Sequence, residues 1–132
     1  MTGKNILIDT SCLIAYFNKE PGYEKIKIYL LGSDNLNISS ITFVELLSVI
    51  GKIDLNKAYQ IIEYLENSPI KIIDVHKDIA KIAGALRLKY KNLDLSTADC
   101  IILASGIKNK VDKILTKDHV WRDVKEIEVE II

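Results

Sequence analysis

The stretch Ile6-Leu7-Ile8-Asp9-Thr10-Ser11-Cys12-Leu13-Ile14 decides how this chain folds. Its three consecutive branched apolar residues predict a strand buried on both faces, as at the centre of a parallel sheet. Asp9 follows the strand at once, and the apolar run 12–17 predicts the opening of a helix. Because open parallel sheets bind their ligands beyond the carboxyl ends of the strands, we expect Asp9 at the mouth of such a site.

Length and composition favour one globular domain that spans residues 1–132. A chain of 132 residues has no room for a second core, and its 48% hydrophobic content is enough to fill one. Its 18 basic and 18 acidic residues cancel, so net charge gives no general attraction to nucleic acid or to an anionic membrane. Any binding of phosphate would then be local, or carried by a bound cation.

The sequence predicts a cytoplasmic protein without a membrane anchor. Residues 1–5 lack the apolar segment of a signal peptide, and no apolar run approaches the length of a membrane span. The two cysteines, Cys12 and Cys100, each lie in an apolar stretch, which favours buried, reduced thiols. Without paired cysteine and histidine spacing, a zinc site is not expected.

Strand patterns alternate with helix patterns along the whole chain. This alternation predicts an α/β fold: a single-domain three-layer sandwich around a mostly parallel, roughly five-stranded sheet. The last segment alternates apolar and polar residues, which is typical of an edge strand with one face in water. The predicted strands are 6–8, 36–39, 70–75, 111–115 and 126–132, and the predicted helices are 12–17, 23–31, 41–50, 55–67, 76–91 and one from 96 that ends at 106–109.

Four acidic residues border long apolar runs. Asp9 and Asp118 each come just after a predicted buried strand, whereas Glu45 and Asp99 lie near the starts of predicted apolar helices. In a parallel sheet these positions can all meet at one edge. An ionised carboxylate beside apolar residues must be paired, protonated or bound to a metal, because burying it alone is costly.

Helix capping is an alternative explanation for each of these acids taken alone. Asp9 is a good N-cap residue, and Thr42-x-x-Glu45 and Ser96-x-x-Asp99 both match the capping box. For Glu45 the capping and the functional explanation carry equal weight. Four acids in such places, most of them without a neighbouring cation in the sequence, favour a shared role.

A shared role for clustered carboxylates is the binding of a hard cation. Carboxylates that lie close together repel one another, and a bound cation removes that repulsion. An all-oxygen set of ligands suits Mg²⁺ or Mn²⁺ better than zinc. Such an ion can polarise phosphate oxygens and lower the pKa of a bound water, and it lets an acidic site accept a polyanion.

Four short motifs give the chain a strong joint resemblance to a known family. It resembles the PIN-domain ribonucleases over its whole length, and in particular the small VapC-type toxins of prokaryotic toxin–antitoxin pairs. The motifs that carry the resemblance are Ile8-Asp9-Thr10-Ser11, Ser40-x-Thr42-x-x-Glu45-Leu46, Asp99-Cys100-Ile101-Ile102-Leu103-Ala104 and Leu115-Thr116-Lys117-Asp118.

The resemblance implies an endoribonuclease that depends on Mg²⁺ or Mn²⁺. Such an enzyme would hydrolyse RNA phosphodiester bonds by in-line attack of water and leave a 5′-phosphate on one product. The residues implied to be catalytic and to hold one or two metal ions are Asp9, Glu45, Asp99 and Asp118. The residues implied to orient the acids or a phosphate oxygen by hydrogen bonds are Thr10, Ser11 and Thr116.

The resemblance also implies protein partners. The family commonly forms homodimers, and a small antitoxin blocks it by filling the active-site groove. The strongly apolar predicted helices 41–50 and 55–65 are compatible with such interfaces, since an apolar helix is buried or lies against a partner.

The sequence fits three other functions less well than it fits the nuclease. A non-catalytic PIN-like scaffold that binds protein or RNA would be marked by the loss of one of the four acids, and all four are present. A phosphatase of the haloacid dehalogenase type expects a second aspartate where this chain has Ser11, and a receiver domain expects an acidic pair where it has Asp9 alone.

Overall fold

The strands form one parallel sheet in the computed structural model, which describes residues 3–132. Across the sheet their order is β3-β2-β1-β4-β5, and every neighbouring pair is parallel. The first strand of the chain is therefore central and the last lies at an edge, as predicted. The strands are β1 (Asn5–Ile8), β2 (Asn35–Ser39), β3 (Lys71–Ile73), β4 (Lys113–Thr116) and β5 (Val129–Ile131).

Helices cover both faces of this sheet, which confirms the predicted α/β sandwich. Along β1, Ile6 and Ile8 face the core formed with the first four helices, and Leu7 faces the core formed with the last two. All three side chains are fully buried, as expected for a central strand. The helices are α1 (Thr10–Phe17), α2 (Tyr23–Leu31), α3 (Ile41–Val49), α4 (Leu55–Glu66), α5 (Lys77–Lys89) and α6 (Thr97–Lys108), and a 3₁₀ helix spans His119–Asp123.

The two outer strands are shorter than predicted. The strand predicted over 70–75 forms only over Lys71–Ile73, because its single neighbour β2 ends at Ser39, opposite Ile73. The strand predicted over 126–132 pairs only over Val129–Ile131, where it lies beside β4. An edge strand ends where its one partner ends, and the residue pattern alone does not show that position.

The apolar helices α3 and α4 are buried on one side only. In α3 the buried residues are Thr42 and Leu46, while 59% of Val44 is exposed. In α4, Leu55 and Tyr59 are 54% and 56% exposed, although they belong to the same apolar helix. The packed residues of α4 are Ala58, Ile61 and Leu65.

Both cysteines are free and buried, one in each core, as predicted. Trp121 is fully buried in the core shared with α5 and α6, so it anchors the segment after β4 to that core. Within residues 3–132 no helix combines the length and the apolar character needed to cross a membrane.

Candidate active site at the carboxyl edge of the sheet

The four predicted acids lie on elements that meet at the carboxyl edge of the sheet. Asp9 directly follows β1, and Asp118 follows the adjacent strand β4 by two residues. Glu45 lies in α3, which begins just after β2 ends, on the other side of β1. Asp99 lies in the first turn of α6, whose far end leads into β4, so its first turn is also at this edge.

Two hydroxyl groups hold the buried carboxylate of Asp9. Ser11 Oγ and Thr116 Oγ1 each donate to Asp9 Oδ2 over 2.7 Å. Backbone N–H groups fix these hydroxyls in turn: that of Lys117 donates to Ser11 and that of Asp118 donates to Thr116, each over 3.1 Å. Asp9 does stand at the N-cap position of α1, but its side chain caps no backbone amide. The capping explanation for its carboxylate is therefore wrong.

Glu45 is held by a residue of another helix. Thr10 Oγ1, at the start of α1, lies 2.6 Å from Glu45 Oε1 and 3.0 Å from Thr42 Oγ1. The alternative in which Thr42 and Glu45 form a capping box is wrong, because α3 begins at Ile41 and its N-cap is Ser40, which makes no side-chain cap. Residues three apart on a helix share a face, so Thr42 and Glu45 both meet Thr10.

Asp99 caps its own helix and also belongs to the acidic group. Its backbone N–H donates to Ser96 Oγ over 3.0 Å, and its Oδ2 accepts from the Ser96 N–H over 2.9 Å. The predicted capping box is thus confirmed. Asp118 caps the 3₁₀ helix in a similar way, since its Oδ1 accepts from the N–H of Val120 over 3.0 Å.

Burial and mutual repulsion raise the pKa values of three of the acids. Burial is the main cause for Asp9, whose pKa rises to about 7 against the hydrogen bonds from Ser11 and Thr116, and the charges of Glu45 and Asp99 raise it further. Burial likewise raises the pKa of Glu45 and of Asp99, and each feels another acid: Asp99 acts on Glu45, and Asp118 acts on Asp99. The four carboxylates therefore interact electrostatically as a group.

Each of the four carboxylates keeps one free oxygen. One oxygen of each acid accepts the hydrogen bonds described above, and the other accepts none from residues 3–132. No salt bridge within that range includes any of the four. The donor set is thus made of unpaired carboxylate oxygens, which is the chemistry that Mg²⁺ and Mn²⁺ prefer.

The acids do not form a closed cage. Among residues 3–132, no three acidic, histidine or cysteine side chains lie close enough together to hold one metal ion. Mg²⁺ is usually held by only one or two carboxylates, with waters and substrate phosphates as its other ligands. The residues present therefore fit an open, partly hydrated ion of this kind, and they do not fit a structural site enclosed by protein.

Two residues of this region were not assigned to the site from the sequence. The sequence pattern indicates only a helix cap for Thr42, although a fully buried hydroxyl in an apolar helix is a sign of a polar partner. Lys117 joins two segments of the edge, since its N–H binds Ser11 and its Nζ donates to the carbonyl of Pro21 over 2.8 Å. No local pattern around Lys117 predicts this second contact.

Comparison with known proteins places the chain in a family. A model of the PIN domain matches residues 6–127, whereas a comparison with curated proteins gave no significant match. The chain belongs to the PIN domain family.

Solved structures with the same fold include toxin–antitoxin proteins. A chain of the VapBC2 complex from Rickettsia felis, bound to a DNA fragment from its promoter, has a TM-score of 0.75 at 20% identity, over 96% of this chain and 98% of that one. A toxin–antitoxin complex from Klebsiella pneumoniae gives 0.74 at 24% identity, over 96% and 99%. VapC20 from Mycobacterium tuberculosis, a Sarcin-Ricin loop cleaving toxin, gives 0.74 at 12% identity, over 93% and 98%. The chain thus has the fold of VapC-type PIN proteins.

Proposed function

We propose that this protein is an endoribonuclease that depends on Mg²⁺ or Mn²⁺ and acts as the toxin of a toxin–antitoxin pair. One observation carries the proposal: four interacting carboxylates, each with a free oxygen and none in a salt bridge within residues 3–132, meet at the carboxyl edge of a PIN-domain sheet. Such an arrangement is unfavourable by itself and becomes favourable when a cation is bound.

Asp9, Glu45, Asp99 and Asp118 would hold one or two cations between them, each ion bound by one or two of these carboxylates and otherwise by waters and substrate phosphate. A divalent ion in this place supplies a Lewis acid that polarises phosphate oxygens and lowers the pKa of water. The remaining tasks belong to the chain itself. Ser11 and Thr116 fix one oxygen of Asp9, and Thr10 fixes one oxygen of Glu45, so that each acid is oriented before a ligand arrives.

The carboxylates also determine how a nucleic acid could approach. Their negative charge repels a phosphate backbone, so binding of RNA is expected to require the divalent ion. The free oxygens at this edge leave room for the ion to be shared with a substrate phosphate. Lys117 directly follows Thr116, its N–H donates to Ser11, and its Nζ donates to the carbonyl of Pro21, so this segment also carries a positive charge.

RNA as the substrate and an antitoxin as the partner are supported by the structural neighbours. One of them is a Sarcin-Ricin loop cleaving toxin, and others are toxin–antitoxin complexes. Exposed apolar side chains on α3, on α4 and in the turn between them, such as Val49, Leu55 and Ile53, offer surface for an antitoxin or for a second copy in a homodimer.

Cleavage of RNA by the purified protein tests the proposal. We expect cleavage with Mg²⁺ or Mn²⁺, a 5′-phosphate on one product, and no cleavage in excess EDTA. Asp9→Asn and Asp99→Asn are expected to reduce the rate by about 100-fold or more, since even the partners of metal ligands are each worth about 10- to 100-fold. The matched control is Asp54→Asn, which removes the same charge from the N-cap of α4.

The alternative, a non-catalytic scaffold, makes the opposite prediction. If the parent protein binds RNA but leaves it intact with either ion, the scaffold is favoured and the nuclease is contradicted. Cleavage at the parental rate by Asp9→Asn or Asp99→Asn would leave the nuclease standing and overturn the assignment of these site residues.

A further inference from the structure

One hydroxyl group in the site has two polar neighbours but only one hydrogen to give. Thr10 Oγ1 lies 2.6 Å from Glu45 Oε1 and 3.0 Å from Thr42 Oγ1. A threonine hydroxyl carries a single hydrogen and can also accept hydrogen bonds. It can therefore donate to one of the two neighbours, and it must accept from the other.

The geometry would let Thr10 donate to either neighbour, and the shorter distance decides which of them receives its one hydrogen. A separation of 2.6 Å is typical of a hydroxyl that donates to a charged carboxylate, so Thr10 donates to Glu45. The contact with Thr42 is then a hydrogen bond only if Thr42 is the donor. Thr42 is fully buried, and among residues 3–132 its hydroxyl makes no other hydrogen bond. A buried hydroxyl needs an acceptor, and Thr10 is the acceptor available.

We propose that Thr42 is a positioning residue that acts on Glu45 through Thr10. Its hydroxyl begins a chain of hydrogen bonds that runs from Thr42 to Thr10 and from Thr10 to Glu45. We call this chain the hydroxyl relay. The inference rests on the proposed function, because the purpose of the relay is to hold Glu45 ready for a divalent ion.

The positions of the three residues explain why the relay can orient Glu45. Thr42 and Glu45 are three residues apart on α3 and face the first residue of α1 together. The bond from Thr42 fixes the rotation of the Thr10 hydroxyl, and hydrogen bonds in a chain strengthen one another. Glu45 Oε1 is thereby held, while Oε2 accepts no hydrogen bond from residues 3–132 and stays available. Partners of this kind commonly fix the orientation of metal ligands.

Two substitutions at position 42 separate the hydroxyl from the shape of the side chain. Thr42→Val keeps the branched shape and removes the hydroxyl, whereas Thr42→Ser keeps the hydroxyl. Ser105→Ala is the control, because it removes a different buried hydroxyl, bonded to Ser39 and to the carbonyl of Ile101. If Thr42→Val does not fold, Thr42→Ala, which cannot overfill the site, takes its place.

The first measurement uses the protein without metal. The carboxyl ¹³C resonance of Glu45, identified by its loss in Glu45→Gln, reports the hydrogen bond that this group accepts. We expect Thr42→Val to move the resonance and Thr42→Ser to restore it, with no change in Ser105→Ala. An unchanged resonance in Thr42→Val, or an equal shift in Thr42→Ser, would overturn the relay.

The second measurement is the affinity for Mn²⁺ by calorimetry. Thr42→Val is expected to weaken binding by about 10-fold, the lower end of the range for such partners, and Thr42→Ser by much less. Because Thr42 acts through Thr10, the double variant Thr10→Val/Thr42→Val should bind no more weakly than Thr10→Val alone. If the fold-losses in Mn²⁺ affinity of the two single variants multiply in the double variant, the relay is contradicted.

The two measurements separate this inference from the proposed function. If the parent protein binds no Mn²⁺ with or without RNA, the proposed function and the purpose of the relay both fail. Even without Mn²⁺ binding, the response of the Glu45 carboxyl resonance to Thr42→Val shows whether the relay exists. If the parent binds Mn²⁺ and Thr42→Val binds it equally well, the proposed function stands and the positioning role of Thr42 is contradicted.

Discussion

Thr116, at the end of β4, donates its hydroxyl to Oδ2 of Asp9, just beyond the end of β1, over 2.7 Å. The two residues are 107 positions apart in the sequence, and the parallel pairing of β1 with β4 brings them together. Ser11 donates to the same oxygen. Both hydroxyls thus bind one oxygen of a buried carboxylate, and the other oxygen accepts no hydrogen bond from residues 3–132.

This buried carboxylate makes the stability of the metal-free protein depend on pH. Burial raises the pKa of Asp9 from 3.8 to about 7 in the folded state. Because the folded pKa is raised, the protonated carboxyl of Asp9 favours the folded state. This contribution to the free energy of unfolding is fully present below about pH 4 and is lost as the pH rises through about 7. We expect Asp9→Asn to stabilise the metal-free protein at pH 8 by an amount on the order of a few kcal/mol, and by less at pH 5.

Urea unfolding in EDTA at the two pH values checks this prediction. Asp54→Asn serves as the control, because Asp54 lies at the N-cap of α4 and asparagine can cap in its place. If Asp9→Asn has a lower free energy of unfolding than the parent at pH 8, the ionised carboxylate stabilises the fold and the prediction is contradicted.

Asp99 combines capping with charge, and two substitutions separate these roles. Ser96→Ala removes the hydroxyl that caps α6 and should cost about 1 kcal/mol of stability, yet it keeps the Asp99 carboxylate. Asp99→Asn keeps an oxygen that can accept from the Ser96 N–H but loses the charge. We expect Ser96→Ala to bind Mn²⁺ nearly as well as the parent and Asp99→Asn to lose binding. Thermal melting measures the loss of stability in both variants, and calorimetry measures their affinity for Mn²⁺. Weaker Mn²⁺ binding by Ser96→Ala than by Asp99→Asn would contradict this assignment of the two roles.

A second ionic group stabilises the edge strand β5 and should depend on pH in the opposite sense. Glu130 accepts from Lys113 Nζ and from the Tyr29 hydroxyl, each over 2.7 Å. Against the effect of burial, its bonds to Lys113, Tyr29 and Lys25 lower the pKa of Glu130 to about 2. Because the folded pKa is lowered, the stabilisation is present above about pH 4.5 and is lost as the pH falls through about 2.

Glu130→Gln is therefore expected to cost about 2 kcal/mol at pH 7 and much less near pH 2, since hydrogen bonds to charged groups are worth roughly 1.5–3 kcal/mol. Urea unfolding at both pH values measures the cost. Glu126→Gln, which loses the more exposed pair with Lys89, should cost less and provides the comparison. An equal cost at pH 7 and pH 2 would exclude an ionic origin.

Trp121 gives a prediction about packing near the site. It is fully buried three residues after Asp118, and its Nε1 has no hydrogen-bond partner among residues 3–132. Trp121→Phe removes volume but also removes a buried donor without a partner, so it should cost clearly less than the roughly 3–5 kcal/mol expected for Trp121→Ala. Equal losses in urea unfolding would mean that Nε1 has a partner, such as an internal water.

Local patterns were sufficient for much of the fold and for the location of the acids. The continuous apolar run of β1 identifies a central strand, and an acid just after such a strand must lie at the carboxyl edge of a parallel sheet. Ser96 and Asp99 form the capping box that their spacing indicates, because that contact lies within one helical turn.

The remaining features depend on contacts between distant segments. Thr42 and Glu45 have the spacing of a capping box, but α1 places Thr10 between them and the pair serves a different purpose. Leu55 and Tyr59 fit an apolar stripe and yet remain exposed, because periodicity does not show how far a neighbouring element extends. Such outcomes are decided by tertiary packing, which a single sequence does not specify.

Titration of the purified protein with Mn²⁺ by calorimetry, with Asp9→Asn, Asp99→Asn and the control Asp54→Asn alongside, tests the central claim most directly. The four-carboxylate site predicts saturable binding by the parent and by Asp54→Asn, and loss of binding in Asp9→Asn and Asp99→Asn. Equal binding by all four proteins would place the ion elsewhere, and no binding by the parent, even with RNA added, would contradict a metal-dependent nuclease.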